Sequence, residues 1–396
     1  MTERLYYTDP DLLRFEARIL DAGREGGRYF AVLDRTAFYP TSGGQLFDTG
    51  ILNSVSIVDV TESSDGTIRH YSPQAIGEVG AVVSGAVDAA RRKRHRRQHT
   101  AQHILSHAFL QLHGCETVSV HLGEEYGAIE FDTGALSDDQ LLAVEERAEE
   151  IIFADLPVDI LFVPPEQIAT IPLRRPPKKE GILRVIRIGD IEYSACGGTH
   201  CRRTGQVGLV KIIGVDKMRG HALVNFLAGD QARDDYAARL EVTARLTRHF
   251  TCNVRDLGDK VLKLEAEKRG LHQEVVRLQR ELLPSQADSL AGQATAVGER
   301  LVLVAELPHY DPKLALQLAA LLAERINGLA VLLVESRLYI AVGPGSGLHA
   351  GNIVKALGAA TGLRGGGGPL QAQLGGADPA QLTTYRALAE KHVREA

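Results

Sequence analysis

Two histidines four positions apart are the first residues of this chain whose types and spacing could do chemistry. His99 and His103 fall in a helical pattern, where residues i and i+4 share one face and can bind the same metal ion. Alone the pair is weak evidence, because such pairs more often belong to a solvated helix face. Thr100 stands where HExxH metalloproteases carry glutamate, which argues against that protease chemistry.

A second pair of candidate ligands lies much further along the chain. Cys196 and His200 flank the sequence Gly-Gly-Thr, whose glycines disfavour a helix and predict a tight turn. Zn²⁺ binds nitrogen and sulfur ligands together, so the four residues form a plausible zinc set. Spacing alone leaves two interpretations open: a closed structural zinc, and a zinc that takes part in catalysis.

The composition predicts a folded protein of several domains. The chain has 396 residues, of which 44% are hydrophobic and 24% charged, which excludes disordered and fibrous classes. A net charge of −5 argues against a globally basic nucleic-acid binder but permits a local basic patch. Four cysteines exclude a disulfide scaffold, and no apolar run reaches the ~20 residues of a membrane span. We therefore expect a soluble protein of the cytoplasm.

The elements that must position the candidate ligands divide into four predicted domains. Short apolar runs separated by turns predict an N-terminal β-barrel over residues 1–88. An α+β zinc domain follows over 89–228, opening with a helix that carries six Lys or Arg within positions 91–97. The fold class is thus α+β multidomain, completed by a helical linker over 229–289 and a C-terminal α/β domain over 290–396.

The predicted linker carries a heptad-like row of apolar residues that should end at Pro284. A dimerising coiled coil and a helical hairpin that packs on its own neighbour explain the row equally well. Outside the four ligands, His95 and His107 continue the same helical phase and are expected at the surface or facing RNA. Asp190 and Glu192 could orient a ligand imidazole, or could be ordinary turn and strand carboxylates.

Several motifs together resemble one family, the editing domain of alanyl-tRNA synthetase and the freestanding AlaX-type alanyl-tRNA editing proteins of the long form. HTAQH and CGGTH occur in the family's order, preceded by an FYxxSGGQxxDxG-like segment at 37–50 and followed by an RTGxxG-like segment at 203–208. The glycine-rich tract at 364–369 is similar to the DHH-associated domain at the synthetase's C-terminus. The resemblance therefore covers nearly the whole chain.

This resemblance implies a function and site residues. The implied activity is zinc-dependent deacylation of tRNA(Ala) mischarged with serine, and secondarily with glycine. One zinc would be held by His99, His103, Cys196 and His200. Gln45 and Thr117 match family positions near the substrate, although a turn glutamine and a β-propensity threonine are the plainer interpretations.

The basic run suggests contacts with the tRNA backbone. Arg91, Arg92 and Arg94 lie in the predicted helix ahead of His99, and Arg364 lies among glycines where a phosphate could approach closely. A homodimer through the linker or the C-terminal domain is a further expectation. Two rival functions remain: a non-catalytic tRNA-binding protein with a structural zinc, and a phosphoesterase, against which the lack of an Asp-His-His triplet argues.

Overall fold

The chain forms two compact units, Met1–Arg245 and Leu246–Ala396. A computed structural model describes residues 2–176, 181–218 and 220–396. Both units combine helices with sheets, which confirms a multidomain α+β fold. The finer division into four domains, with its boundaries, stays a prediction.

The first part of the N-terminal unit is a seven-stranded sheet with a short parallel pair beside it. Its strands are, in chain order, β1 (Glu3–Arg4), β2 (Arg14–Glu25), β3 (Arg28–Leu33), β4 (Arg35–Thr36), β5 (Gly50–Leu52), β6 (Val55–Ile57), β7 (Asp59–Glu62), β8 (Ile68–Ser72) and β9 (Val82–Val87). The order in the sheet is β6-β5-β9-β2-β3-β8-β7, and β1 pairs with β4. Val58, next to β6, donates its N–H to Tyr71 O in β8, so the sheet is nearly closed.

Buried and exposed side chains alternate along β2, and this pattern shows why the sheet forms. Phe15, Ala17 and Ile19 are buried, while the residues between them are exposed, as in a strand with one face on a core. The loop from β4 to β5 carries the segment 37–45, and Gln45 in this loop forms an isolated bridge to Leu122. This bridge ties the loop to the second part of the unit.

Helix α1 (Ala89–His113) begins where Asp88 caps it and ends at Gly114. The Asp88 side chain accepts from the N–H groups of Ala90 and Arg91, and Gly114 adopts a left-handed φ of 67°. From Gln98 to Ser106 every residue of α1 is buried, because the helix runs through the protein rather than along its surface. The sequence pattern predicted this helix at the start of the zinc domain.

Two further sheets and two helices complete the N-terminal unit. The elements are β10 (Thr117–Leu122), β11 (Gly127–Phe131), α2 (Asp138–Phe153), β12 (Val158–Val163), β13 (Leu183–Ile188), β14 (Glu192–Ala195), β15 (Val210–Met218), β16 (His221–Ala228) and α3 (Asp230–Phe250), the last of which extends past the unit's boundary. The sheets have the orders β10-β11-β16-β15 and β12-β13-β14. Their shared core includes Ile104, Phe109 and Phe131, so α1 lies at the centre of this region.

A buried ion pair fixes the first turns of α1 to the loop that carries Gln45. Arg92 donates to Asp48 at 2.6 Å and to the carbonyl oxygens of Pro10 and Ala37 at 3.0 and 2.5 Å. The side chains of Arg92 and Asp48 are 1% and 0% exposed. Burial raises the pKa of Asp48, but the Arg92 charge and the hydrogen bonds to this carboxylate together outweigh it and hold that pKa below the usual range.

The position of Arg92 corrects one prediction. We expected Arg92 to contact RNA, as part of a solvated basic run. Its guanidinium is enclosed and has its partners within the protein, so no phosphate can reach it. The expectation for Arg92 is wrong because charge composition does not reveal which residues of a basic helix face inward.

The C-terminal unit is a six-stranded sheet with helices on it. Its elements are α4 (Leu257–Ala291), β17 (Thr295–Val297), β18 (Arg300–Glu306), α5 (Pro312–Arg325), β19 (Leu329–Val334), β20 (Arg337–Val342), α6 (Ala350–Thr361), β21 (Arg364–Gly367), β22 (Gln371–Gly375) and α7 (Leu382–Glu395). The strand order is β17-β18-β19-β20-β22-β21. Strand β19 is buried at all six positions, as expected for a central strand covered on both faces.

Pro284 does not end the linker helix, contrary to our prediction. Helix α4 continues through it to Ala291. Leu283 and Ala287 on either side of it are buried in the core that α5 covers, and this packing outweighs the hydrogen bond that proline removes. Apolar residues of the heptad-like row such as Leu264 and Leu271 are more than half exposed within the chain, so the proposed dimer is untested.

Among the residues that the structure describes, no helix is long and apolar enough to cross a membrane.

The buried pair yields a stability prediction. Arg92→Met should lower the free energy of unfolding of the N-terminal unit by about 3–5 kcal/mol, because it leaves the Asp48 carboxylate buried without its cation. Chemical denaturation of the full chain measures the loss. The matched control is Arg94→Met, whose exposed side chain pairs with Glu124 at 3.5 Å and should change stability by only ~0.5 kcal/mol. Equal stability of the two variants would contradict the assignment.

Candidate metal centre

Four side chains from two distant segments converge on one point. His99 and His103 extend from one face of α1, and Cys196 and His200 lie in the turn that follows β14. Their four ligand atoms all lie within 4.8 Å of one another. The predicted set is therefore a group that could hold a metal ion.

The distances between these atoms test whether zinc fits. The Cys196 sulfur lies 3.4 Å from Nε2 of His99 and 3.3 Å from Nε2 of His200. Tetrahedral zinc, with bonds of ~2.3 Å to sulfur and ~2.05 Å to nitrogen, places such atoms about 3.6 Å apart. The spacing and the donor types both suit zinc.

Glycine in the turn is required by how closely the turn approaches α1. A Cβ on Gly198 would overlap the ring of His99. The Gly198 N–H also donates to the sulfur of Cys196 at 3.3 Å. Any other residue at Gly198 would push the cysteine turn away from the histidine helix, so the Gly-Gly pair serves the ligand geometry.

Each ligand imidazole has a partner on the side away from the cluster. Nδ1 of His99 lies 2.8 Å from Oε1 of Gln45, an acceptor that also receives the Thr199 N–H. Nδ1 of His200 lies 3.2 Å from the hydroxyl of Thr100, and Nδ1 of His103 lies 3.5 Å from Glu192. For His99 and His200, a proton held at Nδ1 leaves Nε2 with a free lone pair, and Nε2 of both rings faces the Cys196 sulfur.

Gln45, which the resemblance places near the substrate, contacts the ring of His99 and is not among the residues that line the cavity described below; its predicted catalytic role stays a prediction. Its side chain is 0% exposed and its amide is shared between His99 and Thr199. No substrate group can reach it without displacing these bonds. The sequence located Gln45 near the site but could not show which way its amide faces.

Glu192 is a carboxylate behind the metal ligands. It is 2% exposed and accepts from the Ser194 hydroxyl at 2.5 Å, and Arg174 Nε lies 3.3 Å from it. Burial raises the pKa of Glu192, but the nearby rings of His103 and His107 and the Arg174 charge together hold it far below the usual range. Of the two carboxylates considered from the sequence, Glu192 thus lies at the cluster.

The neighbouring histidines of α1 are not at the surface, which corrects a further expectation. His95 is fully buried, with Nδ1 3.8 Å from Asp48. His107 is largely buried, with Nδ1 3.8 Å from Glu192. Both rings lie on the inward side of α1, where the ion pair and the metal ligands also lie.

Charge compensation within the cluster favours the thiolate. Burial raises the pKa of Cys196, but the charge interactions and hydrogen bonds with His99, His103 and His200 together outweigh this, so its pKa lies well below that of an ordinary thiol. Burial also lowers the pKa of His200 well below its usual value. A thiolate and neutral imidazoles are the forms that bind metal.

The cluster opens into a cavity of about 710 Å³. His99, His103 and Cys196 line it, together with Thr117. Thr117 is 7% exposed and donates its hydroxyl to Ser106, which also accepts from Gln102 at 2.8 Å. The sequence singled out Thr117 but not Gln102 and Ser106, although both share the inward face of α1 with His99 and His103.

The remaining basic residues differ in accessibility. Arg91 is 13% exposed and donates to Phe47 O and Glu124, whereas Arg94 is 38% exposed. Arg364 is exposed at the start of β21. Nothing observed tests their contact with RNA, which stays a prediction.

Comparison with known proteins connects this site to tRNA synthetases. Residues 183–222, which include Cys196 and His200, match the threonyl and alanyl tRNA synthetase second additional domain. The alanine–tRNA ligase of Archaeoglobus fulgidus is 31% identical over 385 residues, or 92% of this chain and 41% of that protein. The alanyl-tRNA editing protein AlaX-L of Pyrococcus horikoshii is 34% identical over 221 residues, or 54% of each chain.

These matches confirm the resemblance that the motifs indicated. The chain spans less than half of the ligase and about half of AlaX-L. Among solved structures, the C-Ala domain from Aquifex aeolicus alanyl-tRNA synthetase aligns with 18% identity and a TM-score of 0.24, over 26% of this chain and 97% of that one. This last alignment is too distant to support an argument.

The Gln45–His99 bond predicts an effect on metal affinity. Gln45→Leu should weaken zinc binding by about 10–100-fold, because the His99 ring loses the acceptor that fixes its orientation. Competition with a chromophoric chelator measures the affinity. Gln74→Leu, a substitution at an exposed position, is the control and should bind zinc like the unmodified chain. Wild-type affinity in the Gln45 variant would refute the positioning role.

Proposed function

Because the chain is similar to alanine–tRNA ligase over most of its length and brings together a zinc-type ligand set, we propose that it is a tRNA-editing hydrolase. Its substrate would be tRNA(Ala) carrying the wrong amino acid, mainly serine and secondarily glycine, through an ester to the terminal ribose. One zinc per chain would be held by His99, His103, Cys196 and His200.

The observation that carries this proposal is the opening of the ligand cluster into a large cavity. A purely structural zinc is usually enclosed by its ligands. Here three of the four ligand residues line the same cavity as Thr117, so a bound group can reach both the cluster and a hydroxyl. The similarity to AlaX-L, a protein named for alanyl-tRNA editing, supports ester hydrolysis on this arrangement.

Ester hydrolysis needs an activated water and a stabilised oxyanion. Zinc, when bound, supplies a Lewis acid that polarises a carbonyl and lowers the pKa of a coordinated water. The protein's own contribution is rigidity: Gln45, Thr100 and Glu192 fix the three rings. Such fixed orientation removes the reorganisation that a flexible site would undergo during the reaction.

Selection of serine over alanine requires a polar group that recognises the extra hydroxyl. An apolar pocket cannot strongly reject an added hydroxyl, whereas a site that hydrogen-bonds it discriminates well. Thr117 lines the cavity, and its hydroxyl donates to Ser106, which orients its lone pairs for an incoming donor. We assign Thr117 the role of contacting the seryl side chain.

Binding of the tRNA body would involve basic residues outside the cavity. Arg94 and Arg364 have exposed side chains, and Arg91 is partly accessible, so phosphates could contact them. In this proposal the C-terminal unit contributes a second hold on the same RNA. Dimerisation through the exposed apolar residues of α4 is part of the same hypothesis.

A second candidate function follows from the number of protein ligands. Four side chains fill a tetrahedral zinc and leave no open position, as in structural sites. A non-catalytic tRNA-binding protein would have the same zinc content and no hydrolysis. The two functions therefore differ in whether the chain hydrolyses the aminoacyl ester.

Deacylation assays test the proposal and the role of Thr117 together. The full chain should hydrolyse Ser-tRNA(Ala) faster than Ala-tRNA(Ala), lose this activity to a chelator and regain it with zinc. Thr117→Val should reduce kcat/KM for the seryl ester by about five- to 150-fold, or ~1–3 kcal/mol, because a polar partner is lost. Thr117→Ser, which keeps a hydroxyl, is the matched control and should retain most of the preference.

Two results would contradict the account. A zinc-loaded chain that binds tRNA(Ala) but hydrolyses no ester would favour the non-catalytic alternative. An unchanged ratio of seryl to alanyl hydrolysis in Thr117→Val would show that Thr117 is only a strand residue.

A further inference from the structure

One buried arginine beside the cysteine turn pairs with no carboxylate among the residues described. Arg184 in β13 is 7% exposed. Its Nε donates to Tyr7 O at 3.1 Å and its Nη1 to Cys196 O at 2.5 Å. Its Nη2 is buried without any hydrogen-bond partner in the described part of the chain. The guanidinium thus contacts the metal-ligand turn and keeps one donor free.

Other enclosed arginines of this unit are neutralised. Arg92 pairs with Asp48 at 2.6 Å, and Arg4 pairs with Glu62 at 2.7 Å. A buried charge without a counter-charge is strongly unfavourable, and a bound anion relieves this. The difference between Arg184 and these two residues therefore points to an anionic ligand.

A second guanidinium lines the same cavity. Arg174 is 14% exposed, and its Nε and Nη1 make no hydrogen bond within the described ranges. Its nearest carboxylate, Glu192, is also close to two histidines and accepts from Ser194. Arg174 and Arg184 together offer several N–H donors to one volume.

The cavity has room for a ligand larger than an amino acid. A volume of about 710 Å³ falls in the usual range for nucleotide-sized ligands, and a seryl group would occupy a small part of it. Tyr6, Tyr7 and Tyr39 line the cavity along with the arginines. Aromatic and arginine side chains together are the residue types that bind nucleosides and their phosphates.

We infer that Arg184 and Arg174 bind the phosphate on the 5′ side of the terminal nucleoside that carries the ester. The inference rests on the proposed function, which places that nucleoside's ribose at the metal cluster. The esterified oxygen and this phosphate belong to the same nucleoside and are one ribose apart. Arg184 contacts the backbone oxygen of Cys196, one of the residues proposed to hold the metal. Arginine is suited to the group because its planar fork matches phosphate oxygens.

Equilibrium binding tests the inference without relying on hydrolysis. Calorimetry with the zinc-loaded full chain should show adenosine 5′-monophosphate binding about 10–100-fold more tightly than adenosine. Arg174→Gln and Arg184→Gln should each reduce this ratio at least tenfold while the affinity for adenosine stays the same. Arg28→Gln, at an exposed ion pair with Asp59 outside the cavity, is the control and should keep the wild-type ratio.

The outcomes separate this inference from the proposed function. Equal affinity of the wild-type chain for both compounds, or an unchanged ratio in both variants, overturns it. If Arg184→Gln loses zinc or does not fold, Arg174→Gln decides. Inorganic phosphate that binds as tightly as the nucleotide would show a free-phosphate site and would also overturn it. A preference for the nucleotide in a chain that hydrolyses no ester supports the phosphate site while the proposed function fails.

Discussion

The structure of the N-terminal unit depends on one constraint: three imidazoles and a thiolate must meet within 4.8 Å. An imidazole can bind a metal through either nitrogen, and a free ring would rotate between them. The protein removes this choice for His99 and His200, whose Nδ1 atoms contact Gln45 and Thr100, so that Nε2 of both rings faces the cluster. Nδ1 of His103 lies 3.5 Å from the Glu192 carboxylate. The buried ion pair of Arg92 and Asp48 fixes the helix that carries two of the rings.

The sheets around α1 each supply one part of this arrangement. The loop after β4 contributes Gln45, β10 begins with the cavity residue Thr117, and β14 begins with Glu192. The turn after β14 then contributes Cys196 and His200. The centre is therefore built from segments far apart in sequence, and it can form only when these sheets pack on the same helix.

The convergence of His99, His103, Cys196 and His200 was predictable because their residue types and spacing restrict the chemistry. Histidines at i and i+4 of a helix must share a face, and a cysteine turn with two glycines can approach that face closely. The roles of Arg92 and Gln45 were not predictable, because a basic run and a turn glutamine look the same whether they face water or the core. The helical course through Pro284 depended likewise on tertiary packing around Leu283 and Ala287.

X-ray absorption at the zinc edge of the purified full chain tests the central claim most directly, because it counts the ligand atoms themselves. The account predicts three nitrogen ligands at about 2.0–2.1 Å and one sulfur ligand at about 2.3 Å. The sulfur signal should disappear in Cys196→Ser. A zinc shell without sulfur in the wild-type chain, or a sulfur signal that persists in the variant, would contradict the account.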